Sequence, residues 1–296
     1  MVRIEGLRKA YKQFRVLNGL NMSVKRGEVY GFIGENGAGK TTTMNIICNV
    51  IEKDAGSLVL NGGQPLRIGY LPESPSLYTY MNGREYLTYI AASCKYAGSV
   101  RTRNEELLGM VGLDAAAKRR IKGYSRGMVQ RLGLAAAMYN DPDLAVFDEP
   151  TSALDPQGRA DVIRIIQSLK SAGKTVVLST HILSDVERVA DTIGILHGGV
   201  LVEQDSIEGL FARYEERAVL FVPSAPSEET HAKLMSIDFA DVRPYAGGIY
   251  DIRFEDTARD NMKLLEFLAQ NRIAPARYEI RRPTLETIYM KAVGRR

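Results

Sequence analysis

At 296 residues, 45% hydrophobic and 25% charged, the chain has the make-up of a globular protein with a sizeable core, long enough for one large domain and a small one. A net charge of +4 is slight for this length and its Lys and Arg are scattered, so no nucleic-acid partner is expected. The two cysteines, Cys48 and Cys94, lack metal-ligand spacing and read as reduced thiols of a cytosolic protein rather than a disulfide framework.

In chain order, VRIEGLRKAY and QFRVLNGLNMSVKRGEVYGFIG alternate and turn like short strands, the second ending in a buried strand over 29–33. The leading MVRIEGLRKAYKQ has no apolar core of a signal peptide. No stretch approaches the ~18–20 continuous apolar residues of a membrane span. Any membrane connection is therefore expected to run through a partner chain. A glycine-rich loop and a helix over about 39–51 follow, then a strand and turn at GSLVLNG (56–62). From about 82 to 138 the apolar spacing is helical, and KRRIK (118–122) within it reads as a solvated helix end.

DLAVFDEP (143–150) is a near-continuous apolar run ending in acid, the pattern of a central parallel strand. Helix 157–171, strand 174–179, helix 182–190 and strand 192–196 then alternate, which predicts a parallel sheet with crossover helices. The character changes after about 213. Residues 214–296 read as a small α+β appendage, with a loop at 222–230, a strand at 247–256 and an amphipathic helix at 261–271.

GENGAGKT (34–41) matches a phosphate-binding loop placed between a predicted strand and a predicted helix. Glycines at 34, 37 and 39 let backbone N–H groups curl around phosphate oxygens where side chains would block the approach. Lys40 supplies a point charge for the β and γ phosphates, the Thr41 hydroxyl can ligate Mg²⁺, and the helix aims its positive end at the anion. The nucleotide is expected to contact Gly34, Glu35, Asn36, Gly37, Ala38, Gly39, Lys40, Thr41 and Thr42. Asp148 and Glu149 close the central strand at the crevice where ligands sit in open α/β sheets. Asp148 can hold Mg²⁺ with Thr41, and Glu149 can polarise a water for in-line attack on the γ-phosphate.

YSRGMVQRLGLAAAMYNDPDLAVFDEPTSALDP adds a Ser–x–Gly turn at a helix tip to these parts. Over about residues 1–210 the chain here resembles the nucleotide-binding subunit of ABC transporters. Residues 124–128 stand at that family's signature, Asp148-Glu149-Pro150 at the end of its Walker B strand, and 152–155 at its D-loop. His181 matches the switch histidine, and Tyr11 the aromatic that stacks on adenine. The fold implied is an α/β P-loop NTPase over 1–213 with a mainly parallel sheet, a helical signature subdomain at about 76–140, and the appendage at 214–296.

The resemblance implies a homodimer across two ATP sites, paired head to tail. Ser125 and Gly127 of one copy would clasp the γ-phosphate held by Lys40 of the other, with the D-loop Asp155 at the same interface. Glu149 and His181 would be catalytic, with ATP and Mg²⁺ as cofactors. Three positions depart from the family: Arg126 replaces a signature glycine, Met128 replaces the signature's last glutamine, and Glu73 stands where most members carry the Q-loop glutamine. A carboxylate there can still reach Mg²⁺, so Glu73 joins Thr41 and Asp148 as a metal candidate. GYLPE, YSRGM and the tail RRPTLETIYMKAVG (281–294) look like the subgroup that works with a separate polytopic ABC-2 type permease, mostly in export. The subunit would then lie on the inner face of the cell membrane through that partner. Six tyrosines between 70 and 96 fall where the family docks its membrane subunit, and one or two near Tyr78–Tyr80 are expected to be exposed. The alternatives are a soluble ABC-type ATPase acting on DNA or ribosomes, and a small-molecule P-loop kinase.

Overall fold

The computed structural model describes residues 1–152, 154–281 and 283–294, without the side chains of Thr257 and Ala258. Contacts divide it into two units, Met1–Ile207 with Tyr289–Arg296, and Glu208–Ile288.

In the first unit, β1 (Val2–Tyr11) and β2 (Phe14–Val24) form a hairpin. Val2, Ile4, Leu20, Met22 and Val24 are buried by the alternation of its residues. β3 (Val29–Gly34) is buried at every residue and leads through the glycine loop into α1 (Lys40–Ile47). α1 stops short of the predicted residue 51 because Asn49 takes a left-handed φ of 56°. β4 (Ala55–Leu60) returns antiparallel to β1, so a small sheet runs β2-β1-β4.

β5 (Ile68–Leu71) opens the helical region, with α2 (Gly83–Ser93), α3 (Val100–Met110) and α4 (Arg126–Ala137). Each helix starts on a polar cap that accepts from the first turn: Asn82 in a capping box with Glu85, then Ser99, then Ser125. KRRIK does not end a helix. It lies in a turn and short 3₁₀ segment between α3 and α4, where Ile121 is buried and Arg120 reaches the Tyr80 carbonyl and Glu85.

β6 (Leu144–Asp148), α5 (Pro156–Ser171), β7 (Thr175–Thr180), α6 (Leu183–Glu187), β8 (Thr192–His197) and β9 (Val200–Ser206) complete the large sheet. Its order is β5-β6-β7-β3-β8-β9, parallel except for the β8–β9 pair. The predicted parallel sheet is therefore present, with an antiparallel edge strand that the sequence reading did not contain. Tyr30, Phe32, Met44, Ile47, Leu144, Val146 and Val177 belong to one buried cluster that joins strands to α1.

The second unit follows α7 (Ile207–Arg213) with β10 (Ala218–Pro223), α8 (Glu228–Met235), β11 (Asp241–Tyr245), β12 (Ile249–Arg253), α9 (Thr257–Gln270) and β13 (Pro275–Ile280). The order β11-β12-β10-β13, antiparallel throughout, is the split βαβ plan. Its core joins Val219, Phe221 and Ile252 of the sheet to Leu234, Leu264 and Leu268 of the helices. The predicted loop at 222–230 is present at 224–227, and its ends belong to β10 and to the start of α8, capped by Ser227. α10 (Leu285–Val293) spans the division between the units. Among the described residues no helix is long and apolar enough to cross a membrane.

Candidate active site

Sheet order assembles the site. β6, β7 and β3 are successive parallel neighbours, so their carboxyl ends lie side by side at spacings of about 5 Å. Those ends carry Asp148-Glu149, Thr180-His181 and the glycine loop. Gly34 closes β3 where a Cβ would come within 2.6 Å of the Leu196 carbonyl oxygen. Gly39 caps α1 with φ 110°, where a Cβ would meet Leu17 at 2.7 Å and the Val16 carbonyl at 3.2 Å. Only glycine fits both demands there.

Lys40 is 6% exposed and turned inward. Its Nζ donates to the carbonyls of Gly34 at 2.7 Å and Glu35 at 3.2 Å, and pairs with Glu149 Oε1 at 3.3 Å. The other Glu149 oxygen, Oε2, lies 2.9 Å from His181 Nδ1. Glu149 itself holds φ 48°, a left-handed conformation that costs a non-glycine residue about 1–3 kcal/mol. It is kept there by its N–H, which bonds both the carbonyl and the Oγ of Ser179, at 3.1 and 3.0 Å.

Asp148 is fully buried. Its Oδ1 accepts from Ser179 Oγ, while Oδ2 is buried with no hydrogen-bond partner. Its charge reaches neighbouring groups. Burial, then Asp148, pushes the Cys48 thiol up to about 12, and the same two causes raise the Tyr70 hydroxyl above its usual range. A buried carboxylate with a free oxygen at a phosphate loop fits a divalent cation. Among the described residues no group of three or more His, Cys, Asp or Glu could hold a metal alone. Mg²⁺, which keeps waters and shares phosphate oxygens, needs no such group.

A cleft of about 390 Å³ gathers Asn36, Gly37, Gly39, Lys40, Thr41 and Thr42 with Glu73, Glu149 and His181. Its remaining walls are Phe14 and Val16. Tyr11, the adenine candidate, is not in this lining. The turn at Lys12-Gln13 makes it the cross-strand partner of Phe14, and the return strand carries Phe14 and Val16 beside the glycine loop. Phe14, 68% exposed, was missed; an aromatic three residues after Tyr11 on a hairpin was the available signal. Ser179 was also missed, since a serine in an apolar strand carries no motif.

Ser125, Gly127 and Asp155 do not line the cleft. Ser125 and Asp155 are exposed helix caps, accepting from the Met128 and Gly158 N–H groups. A Cβ at Gly127 would stand 3.5 Å from Leu154, so the α4 tip adjoins the segment leading into α5. Ala153 of the D-loop match and Arg282 of the tail match lie outside the described residues. Tyr78, Tyr80 and Tyr89 are exposed; Tyr78 meets Tyr80 in a tilted contact and meets Tyr89 and buried Tyr86 edge-on.

A P-loop bonded to a lysine, two acids at a neighbouring strand end and a histidine beside them define a nucleotide-hydrolysing site on a P-loop α/β fold. The ABC transporter family model matches residues 17–152. The lantibiotic transport ATP-binding protein SrtF of Streptococcus pyogenes is 38% identical, covering 71% of this chain and 92% of its own. The bacitracin transport ATP-binding protein BcrA of Bacillus licheniformis is 32% identical over 99% of this chain and 97% of its own. A solved dimer of the ATP-binding cassette MJ0796, in a post-hydrolysis state with ADP and Pi, matches at a TM-score of 0.64 and 25% identity, covering 70% and 99%. The chain belongs to the ABC transporter ATP-binding protein family; it is an ATP-binding and ATP-hydrolysing subunit.

Proposed function

We propose that this subunit powers an exporter built with a separate ABC-2 type permease, working as a homodimer that closes on two ATP molecules. The observation that carries this reading is the placing of Ser125 and Gly127. Both stand at an exposed, polar helix tip and neither lines the cleft of Lys40. Hydroxyl, N–H groups and positive helix end form an anion site that a second copy's γ-phosphate satisfies. Asp155, at the start of α5, would meet the partner copy beside it. The solved dimeric relative supports the pairing. Likeness to the bacitracin transport protein over nearly all of both chains, tail included, supports work in transport.

Within each site, Lys40 leaves Glu149 for the β and γ phosphates. Glu149 then accepts the proton of the attacking water, and His181 orients that water against the γ-phosphate. Thr41, Asp148 and Glu73 would hold Mg²⁺, which neutralises charge on the transferring phosphate when bound. Phe14 and Tyr11, paired across the hairpin, offer the aromatic face for adenine. An apolar groove of about 290 Å³ holds Pro72, Pro75, Leu77, Tyr86 and Tyr139. With the exposed tyrosines it suits a docking segment of the permease, through which the subunit would lie at the membrane's inner face.

The test is the mass of Glu149→Gln in saturating ATP, by light scattering. We expect a dimer that ADP dissolves. A monomer under these conditions, with and without the permease, rules out the ATP-closed pair. Failure to co-purify with a polytopic membrane protein from the native host rules out the transporter partner.

A further inference from the structure

Ser179 lies on β7 directly opposite Asp148 in the β6–β7 register, and it is fully buried. Its Oγ donates its single proton to Asp148 Oδ1 and accepts the Glu149 N–H at 3.0 Å. A hydroxyl has one donor, so that proton is committed. The same atom therefore touches both acids of the site, one through its carboxylate and the other through its backbone.

We propose that Ser179 is a positioning residue for hydrolysis, its hydroxyl fixing the metal-facing carboxylate of Asp148 relative to the water-activating carboxylate of Glu149. This rests on the roles assigned above to Asp148 and Glu149.

Three observations carry it. Engaging Oδ1 decides which oxygen of Asp148 is left over: Oδ2 is the buried, unpartnered one. Anchoring the Glu149 N–H to both oxygens of Ser179 holds a left-handed residue that would otherwise relax. With its backbone so held, the Glu149 carboxylate reaches Lys40 and His181. The residue type itself is informative too. β7 reads Thr-Val-Val-Leu-Ser-Thr, buried throughout, and a β-branched apolar residue would suit position 179 better by strand propensity. A buried serine costs desolvation unless its hydroxyl is used, and here both of its capacities are.

The test uses the full chain as Ser179→Ala, with Ser179→Thr as the variant that keeps the hydroxyl. Asp148→Asn and Glu149→Gln run beside them. Three quantities are measured: ATPase kcat and KM, nucleotide affinity with and without Mg²⁺ by equilibrium binding, and melting temperature without nucleotide. We expect Ser179→Ala to lower kcat by about tenfold or more with KM for ATP within about threefold. The gain in nucleotide affinity on adding Mg²⁺ should shrink by about fivefold, with Ser179→Thr restoring most of both. A purely structural serine would lower the melting temperature and leave the Mg²⁺-dependent gain as in wild type; that result overturns the proposal, as does an unchanged kcat. If Ser179→Ala does not fold, Ser179→Cys, close in size and a weak donor, takes its place with the same thresholds. Wild-type turnover in Asp148→Asn and Glu149→Gln would instead remove the underlying site reading. Loss in those two alone removes only the role of Ser179.

Discussion

Each unit buries an aspartate completely, and the two are treated in opposite ways. In the second unit Asp260 receives Arg259 at 2.7 and 3.0 Å, the Asp256 N–H at 3.1 Å and Lys263 at 3.3 Å, so both oxygens are occupied. Arg259 chiefly holds its carboxyl well below the usual carboxylate range. In the first unit Asp148 has a serine on one oxygen and nothing on the other. Of these two buried acids, only Asp148 has an oxygen left for a ligand. The orphaned oxygen of Asp148 counts because it lies at the phosphate loop; Asp185 and Asp251 also keep a buried oxygen without a hydrogen bond, and neither lines the cleft there.

The sharpest break of this contrast is Lys40→Ala. Removing the cation that faces Glu149 and the phosphates should cut ATPase turnover about a hundredfold or more, with the fold intact by circular dichroism. Turnover within a fewfold of wild type would mean that the cleft is not the reaction centre. Glu73→Gln should move the Mg²⁺ concentration for half-maximal ATPase about threefold, because a carboxylate at the cleft wall becomes neutral. Identical Mg²⁺ curves would take Glu73 out of the metal set.

Asp260→Asn should leave KM for ATP unchanged while lowering the melting temperature. The pH dependence has a definite sign. The folded pKa is depressed, so the aspartate stabilises fully above its unfolded value near 4, and that stabilisation fades as pH falls. The melting difference between wild type and Asp260→Asn should therefore be larger at pH 7 than at pH 3; a reversed order would contradict the paired acid. The smallest effect concerns Cys48. With its thiol at about 12, a fraction on the order of 10⁻⁴ is thiolate at pH 8, and alkylation of the native protein there should be negligible. Ready labelling by iodoacetamide, located by mass spectrometry, would show that Asp148 and its surroundings are open to water.

Much of the first unit was legible because its signals are contiguous. The run 143–150, apolar and then acidic, has the pattern of a central parallel strand, and β6 is buried at each position. The second unit was harder to read. β13 alternates weakly, with Pro275, Ala276 and Arg277 exposed, and β11 carries Arg243, Pro244 and Tyr245 outward. These strands exist through pairing with β10 and β12, and single-strand periodicity does not record a neighbour. KRRIK misled for a related reason: it sits in a helical stretch by spacing, yet Gly112 and Gly123 flank a turn whose shape is set by Arg120 reaching across to residues 80 and 85.

The linear order of residues determined the parts: a glycine loop ending in Lys40, two acids closing an apolar strand, a serine cap before α4. Each is a property of neighbours along the chain, where backbone freedom, capping and burial act locally. Only the tertiary structure decided their company. Strand order β6-β7-β3 and the register between Asp148 and Ser179 put a lysine, a glutamate, a histidine and an unremarked serine within hydrogen-bond reach. Such contacts arise across strands far apart in sequence, and a one-residue slip in register would turn Ser179 to the other face of the sheet.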